Sequence, residues 1–424
     1  MLDIKRIREN TDEVRDGLLS RGKNAGNLDQ ILDLDKNRRH LLSEAESLKN
    51  RRNKTSKEIG ERRKKGEDTS ETQKQVRQLG EKITELDSQV HDIDTQLHDL
   101  LLATPNVPHK STPQGTDETF NKQIRTYSEP AKFNFKPKNH VELGENLGIL
   151  DLGRATRMTG PGFPLFIGAG AKLVRALIQF MLDIHTREHG YTEIQPPILC
   201  SSESMTGTGQ LPKLSDDMYQ LPEDNLYLVP TAEVPLVNMF REEIIDKPLP
   251  IYLTAYTPCF RREAGAAGKV TRGIIRMHQF DKVEMVKIVE PETSYDELEK
   301  LLSDAEDILK QLELPYRVME LCAGDISFAA TKCYDIELWA PGQNAWLEVS
   351  SCSNCEDFQA RRANIRYKDK DGHTRFPHTL NGSGVALSRL IVAILENCQM
   401  SDGSITVPDA LAPYMNGTKN IVPE

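Results

Sequence analysis

From Ile31 the chain places Ile31, Leu34, Arg38, Leu41, Ala45, Leu48, Arg52, Thr55 and Ile59 at alternating spacings of three and four, a heptad seam with polar breaks. A second run, Val76, Leu79, Ile83, Leu86, Val90, Ile93, Leu97 and Leu100, keeps that spacing without a miss, and no proline interrupts either. Residues three and four apart share one face of a helix, so each run predicts a long helix with one apolar stripe. Between them, Lys65-Gly66-Glu67-Asp68-Thr69-Ser70 offers a glycine to end the first helix and Asp, Thr or Ser to cap the second. The pattern predicts an antiparallel helical coiled-coil hairpin. At ~1.5 Å per residue each leg runs roughly 50 Å, so the hairpin is expected to project into solvent.

The seam ends at Leu102-Ala103-Thr104-Pro105-Asn106-Val107-Pro108, and prolines recur at 113, 130 and 137 in a polar stretch that reads as a linker. Beyond it the period changes. Short runs such as Leu226-Tyr227-Leu228-Val229, Tyr334-Asp335-Ile336-Glu337-Leu338-Trp339 and Ala345-Trp346-Leu347-Glu348-Val349 predict strands, with helices near 170–189 and 293–312. Strands broken by separate helices, without βαβ repeats, predict an α+β body on a mostly antiparallel sheet. The expected division is an arm over 1–104 and a body over 105–424.

Charge changes the picture of the arm. The whole chain carries -10, which argues against nucleic acid, yet residues 49 to 65 hold nine basic side chains against two acidic ones. Arg51, Arg52, Lys54, Lys57, Arg62 and Arg63 therefore suit a phosphate backbone, although a solvated coiled-coil surface accounts for the same charges. Seven scattered cysteines, no apolar leader and no run of about 20 apolar residues predict reduced thiols in a soluble, untargeted cytoplasmic protein, with no membrane span. Cys352-x-x-Cys355 has a spacing used for zinc or thiol exchange, but no second pair supplies the remaining zinc ligands, so structural thiols are the expectation.

The densest chemistry lies in Phe260-Arg261-Arg262-Glu263, which leads through a flexible Gly/Ala-rich stretch to Arg272-Gly273 and then Arg276-Met277-His278-Gln279-Phe280. Two strand-like runs around a mobile loop would turn one charged face to a cleft. Arginine offers a planar fork for a phosphate oxygen. Glu263, two residues on, is expected on the same strand face as Arg261, where it can accept the exocyclic amine of adenine, and Phe280 offers a ring for a base. Arg262 should point away from Arg261. Taken alone, an Arg-x-Glu is more commonly a surface ion pair.

Together these segments resemble motif 2 of the class II aminoacyl-tRNA synthetases. The helix near 170–189 with Tyr191-Thr192-Glu193-Ile194-Gln195-Pro196-Pro197 resembles motif 1, whose family role is the dimer interface. Asn381-Gly382-Ser383-Gly384-Val385-Ala386-Leu387-Ser388-Arg389 resembles motif 3. Thr231-Ala232-Glu233, Glu348-Val349-Ser350-Ser351-Cys352-Ser353-Asn354, Thr206-Gly207-Thr208-Gly209-Gln210-Leu211-Pro212 and Val407-Pro408 through Pro413-Tyr414-Met415 are similar to blocks of the seryl-tRNA synthetase family, whose other hallmark is the N-terminal arm. Arg262 and Asp281 depart from that family's usual residues.

The resemblance implies a homodimer that activates serine with ATP and loads tRNA(Ser) and tRNA(Sec), with residues 1–104 as the tRNA-binding arm and 105–424 as the catalytic domain. By position, Thr231, Ala232, Glu233, Glu284 and Ser383 would bind serine. Arg261 would grip the α-phosphate and Arg389 the terminal phosphate. Arg262, Glu263, Met277, His278, Gln279, Phe280, Glu348, Val349, Ser350 and Ser351 would complete the ATP site, with Glu348 and Ser351 holding Mg2+. His278 reads as loop architecture, because a carboxylate nucleophile needs no general base. Two alternatives stay in view: a homologue that charges a carrier protein, against which the basic hairpin argues, and a non-catalytic coiled-coil RNA-binding protein, against which the full set of site charges argues.

Overall fold

The structure, a computed structural model, describes residues 1–22, 26–264 and 273–423. It divides into two compact units, one of Leu2–Leu19 and Lys23–Pro105, the other of Met1, Ser20–Gly22 and Asn106–Glu424. Among the described residues no helix is long and apolar enough to cross a membrane.

The first unit holds α1 (Ile4–Glu9), α2 (Thr11–Leu19), α3 (Leu28–Lys64) and α4 (Ser70–Ala103). The heptad positions face inward: Ile31, Ala45, Ile83, Leu86, Val90, Ile93 and Leu97 are buried, and Leu101 joins Leu100 at the seam's end. Arg38 pairs with Asp94 and Lys49 with Asp87, which fixes the two legs antiparallel. Asp35, outside the seam, is also buried, and it is neutralised by Arg8 at 3.3 Å and Arg39 at 2.9 Å, as a buried carboxylate requires. At the tip, Gly66 adopts φ +76°, the left-handed turn that ends α3. Asp68 then accepts both the N–H and the hydroxyl of Ser70 at 2.9 and 2.6 Å, capping α4 from one residue earlier than Thr69.

The second unit is built on eight strands, β1 (Lys122–Tyr127), β2 (Thr192–Glu193), β3 (Ile251–Phe260), β4 (Gln279–Val289), β5 (Tyr316–Glu320), β6 (Lys332–Ala340), β7 (Ala345–Asn354) and β8 (His378–Ala386). Their order across the sheet is β1-β5-β6-β7-β8-β4-β3-β2, antiparallel throughout except for the β2–β3 pair. Its helices include α5 (Ala169–Arg187), α6 (Glu233–Asn238), α7 (Ser294–Gln311) and α8 (Leu387–Asn397). In α5 and α7 the apolar residues recur at three and four, so one face packs on the sheet: Leu173, Leu177, Phe180, Met181 and Ile184 from α5, Leu298, Leu301, Leu302, Ala305, Ile308 and Leu309 from α7. α8 is apolar almost all round and buried along its length. Each fully buried side chain of this size is worth about 1.5–3 kcal/mol.

The period of two divides β4 between the sheet's faces. Val283, Met285 and Val289 enter the core shared with these helices. Val286 and Ile288 enter a second core with Leu236, Val237 and Ile365, and Lys282 and Glu284 share that second face by alternation.

One expectation is corrected. The proline-rich stretch after 104 is not a free linker, because Asn106 donates to the Ala329 and Cys355 carbonyls at 2.9 Å and Thr112 to the Thr331 carbonyl at 2.8 Å. It feeds β1, whose residues are exposed along its whole length and so carry no alternation for a sequence reading to detect.

Candidate active site

A cavity of about 460 Å³ opens on the Lys282–Glu284 face of the sheet. Its floor comes from neighbouring strands whose register places Ser383 directly opposite Glu284. Thr231 accepts the Glu233 N–H at 3.2 Å, setting up the first turn of α6 and aiming the Glu233 carboxylate inward. Glu233 Oε1 accepts from Gln359 at 2.6 Å and Asn381 at 2.7 Å. Burial, then the neighbouring Glu284, pushes its carboxyl up to about 7.

Lys282 had no assigned role in the sequence. It lies two residues from Glu284 on one strand face, donates to Thr231 Oγ1 at 2.8 Å, and sits 2.5 Å from Glu284 Oε2. With Glu233 ionised, two carboxylates against one ammonium leave a single negative charge at this end of the cavity, which matches one incoming cation.

At the other end stand the arginines. β3 ends at Phe260, opposite Gln279, so Arg261 and Glu263 lie beyond the strand and Glu263 takes a left-handed conformation at φ +52°. The expectation of a shared strand face is therefore corrected, although both residues still line the cavity. Arg261 is held by its Nε–H to the Pro230 carbonyl at 3.3 Å, and its guanidinium lies 5.1 Å over the Phe280 ring. Glu263 pairs with Arg276 at 3.2 Å, a cavity residue also left out of the assigned set. The Gly/Ala-rich stretch and Arg272 lie outside the described residues.

On β7, Glu348 and Ser351 are three residues apart and should face opposite ways. The register shift opposite Ile336 and Glu337 inserts Val349 as a bulge and restores both to the cavity side. Arg389 reaches Glu348 from the first turn of α8, with Nη1 2.6 Å from the Glu348 carbonyl and 3.3 Å from its carboxylate. Behind them, Asp335 on β6 is paired with Ser351; burial and the nearby Glu348 raise its carboxyl well above the usual range. A half-exposed carboxylate and a hydroxyl on one wall are hard oxygen donors that fit magnesium.

Of the assigned residues, Thr231, Glu233, Glu284, Ser383, Arg261, Glu263, Met277, Phe280, Glu348, Val349, Ser351 and Arg389 meet at this cavity. Five do not. Ala232 is fully buried in the second core. Arg262 turns its guanidinium onto Tyr219 at 4.6 Å and donates to the Met218 carbonyl at 3.0 Å. His278 lies against the Arg261 carbonyl at 3.1 Å and braces the loop, Gln279 is exposed, and Ser350 donates to the Ser383 carbonyl at 2.6 Å. Cys352 and Cys355 are buried without a disulfide, and burial pushes Cys352 up to about 12 and Cys355 well above the usual range.

Residues 1–108 match the family described as the seryl-tRNA synthetase N-terminal domain, and residues 217–398 the tRNA synthetase class II core domain (G, H, P, S and T). A serine–tRNA ligase of Alkaliphilus oremlandii is 53% identical over 423 residues, covering 99% of this chain and 100% of that protein. The chain belongs to the seryl-tRNA synthetase family. A second serine–tRNA ligase, from Carboxydothermus hydrogenoformans, is 54% identical and covers 98% of both chains. The seryl-tRNA synthetase of Pyrococcus horikoshii, solved in complex with ATP, is 41% identical with a TM-score of 0.96 over 100% of each chain. The cytoplasmic serine–tRNA ligase of Naegleria fowleri, solved with AMP, is 28% identical with a TM-score of 0.89 over 100% of this chain and 99% of that one. The seryl-tRNA synthetase fold thus accounts for both the helical hairpin and the antiparallel catalytic sheet.

Proposed function

We propose that this protein is a serine–tRNA ligase whose active site is the cavity between Glu233 and Arg389. The observation that carries the reading is the polarity of that one cavity, a carboxylate-rich pocket for an ammonium at one end and arginines for phosphates at the other. Serine's ammonium sits between Glu233 and Thr231, and its hydroxyl is met by Glu284 and Ser383. Leaving such groups unpaired is what rejects alanine. The serine carboxylate attacks the α-phosphorus of ATP in line, releasing pyrophosphate and leaving seryl-adenylate. Arg261 neutralises charge at the α-phosphate and Arg389 at the terminal one, while Phe280 and Glu263 receive the adenine. Glu348 and Ser351 would hold magnesium, which would supply further charge neutralisation at the phosphates. A terminal ribose hydroxyl of tRNA then attacks the mixed anhydride and releases AMP. Residues 1–104 serve as the tRNA-binding arm and 105–424 as the catalytic domain, in a cytoplasmic homodimer that serves tRNA(Ser) and tRNA(Sec).

The test is ATP–pyrophosphate exchange with each of the twenty amino acids, followed by charging of total tRNA on the same sample. Exchange with serine and charged tRNA supports the reading. Exchange without charging points to a carrier-protein acceptor, and no exchange with any amino acid points to a non-catalytic RNA-binding protein.

The raised Glu233 carboxyl sets a pH dependence. Below about 7 the group is neutral and cannot hold an ammonium, so kcat/KM for serine should rise roughly tenfold from pH 6 to pH 8. Stability runs the other way: the folded state keeps a proton that the unfolded chain, titrating near 4.5, has lost, so stability falls as pH rises between those values. Glu233→Gln should flatten both profiles and raise KM for serine. A serine kcat/KM in the wild-type enzyme that stays level across this range would reject Glu233 as the ammonium ligand.

A further inference from the structure

The segment that carries Arg276 and Met277 into the cavity is anchored by a buried hydrogen-bond chain that the chemistry above leaves unused. His140, the first residue of the helix His140–Asn146, and Glu396, in the last turn of α8, are 1% and 0% exposed. Glu396 Oε1 accepts from the His140 backbone N–H at 2.9 Å and faces its Nδ1 at 3.0 Å. The same carboxylate accepts the Gly342 and Gln343 backbone N–H groups at 2.8 and 3.1 Å and the Gln343 side chain at 3.1 Å. On the far side of the ring, His140 Nε2 accepts the backbone N–H of Ile274 at 3.3 Å. An Nε2 that accepts carries no proton, so the ring proton sits on Nδ1 and points at Glu396, which fixes both tautomer and orientation.

One turn-rich segment is thus gripped twice by one helix. Arg389, in the first turn of α8, donates its Nε–H to the Ile275 carbonyl at 3.2 Å, and Glu396, in the last turn, reaches the adjacent Ile274 amide through His140. Gly273 makes the approach feasible: it sits at φ +76°, and a Cβ there would fall 2.1 Å from His140 Nε2. A well-packed apolar core holds a fold at least as well as a buried polar chain. What this chain adds is a fixed position for a backbone amide two residues before Arg276.

We propose that His140 is a positioning residue for ATP, holding the Ile274 amide through its accepting Nε2 so that Arg276 and Met277 stay in register with the helix that presents Arg389. This deepens, and rests on, the reading of the cavity as the ATP and serine site.

The experiment compares His140→Asn with His140→Gln by serine-dependent pyrophosphate exchange and thermal unfolding. Asparagine keeps a donor to Glu396 near the Nδ1 position and loses the distal acceptor, whereas glutamine places an amide oxygen near Nε2. His140→Asn should raise KM for ATP about tenfold and leave KM for serine within roughly twofold, while His140→Gln stays near the wild type. Gly273→Ala, which pushes the segment off the ring without touching Glu396, should reproduce the Asn phenotype and carries the test if His140→Asn does not fold. The proposal is overturned if the Asn and Gln variants behave alike, if ATP and serine KM rise together with a fall in Tm, or if Gly273→Ala leaves KM for ATP unchanged. Wild-type exchange is the control: its absence removes the serine–tRNA ligase reading itself, whereas normal wild-type exchange with any of those three results removes only the role of His140.

Discussion

Arg261→Ala is expected to lower serine-dependent ATP–pyrophosphate exchange by about three orders of magnitude while leaving thermal stability and elution volume unchanged. Its guanidinium is tethered at Nε to the Pro230 carbonyl and laid over Phe280, which leaves the terminal nitrogens facing the cavity. A charge held in place before the substrate arrives costs no reorganisation when negative charge builds on the α-phosphate. Arg261 itself is only part-buried and outside the core, which Phe280 joins from its edge, so truncation should be felt in the chemistry and not in folding. Arg261→Lys should recover little, because an ammonium cannot bridge two phosphate oxygens or lie flat on a ring. Normal exchange by the alanine variant would falsify the assignment of this cavity end to phosphate.

Much of this was legible in the chain because its periods are local. The heptad spacing needs only neighbouring turns, and every seam position from Ile31 to Leu100 is buried or half-buried. Glu284 was assigned by resemblance, and the period of two along β4 accounts for its place on the cavity face, opposite to Val283 and Met285. Where a local rule is broken, spacing alone misleads. The bulge at Val349 sets Glu348 and Ser351 on one side against strand parity, a placement reached only through the resemblance, and the end of β3 at Phe260 removes the strand face assumed for Glu263. β1 is paired at one edge and each of its residues is exposed, so no hydrophobic alternation marks it. Gln359, Asn381 and Arg276 stayed unassigned because their partners lie 13 to 148 positions away, and Lys282 because its link to Thr231 spans 51, although its ion-pair partner Glu284 is two residues on. For the same reason His140 and Glu396, 256 positions apart, carry no signature in sequence.

Deleting residues 36 to 97 and closing the gap with a short glycine linker is expected to leave serine-dependent exchange within about twofold and to reduce charging of tRNA by a hundredfold or more. The cut follows the hairpin's own pairing: Arg38 faces Asp94, so residues 36 and 97 stand nearly opposite and the ends are only about 10 Å apart. All cavity residues lie in the other compact unit, which is why activation should survive. The hairpin's cations are not equivalent. Lys49 is committed to Asp87, Arg62 to Glu67 and Arg63 to Thr69. Arg51, Lys54 and Lys57 are exposed and make no ion pair among the described residues, so phosphate contact should fall first on them. Each neutralised phosphate releases counterions, so an Arg51→Ala, Lys54→Ala, Lys57→Ala variant should raise KM for tRNA and lower the slope of its logarithm against log salt by about 2–3, with exchange unaffected. If the truncated enzyme charges tRNA as well as the full chain does, the hairpin has another task. If the triple variant keeps the wild-type salt slope, the phosphate contacts lie elsewhere on the arm.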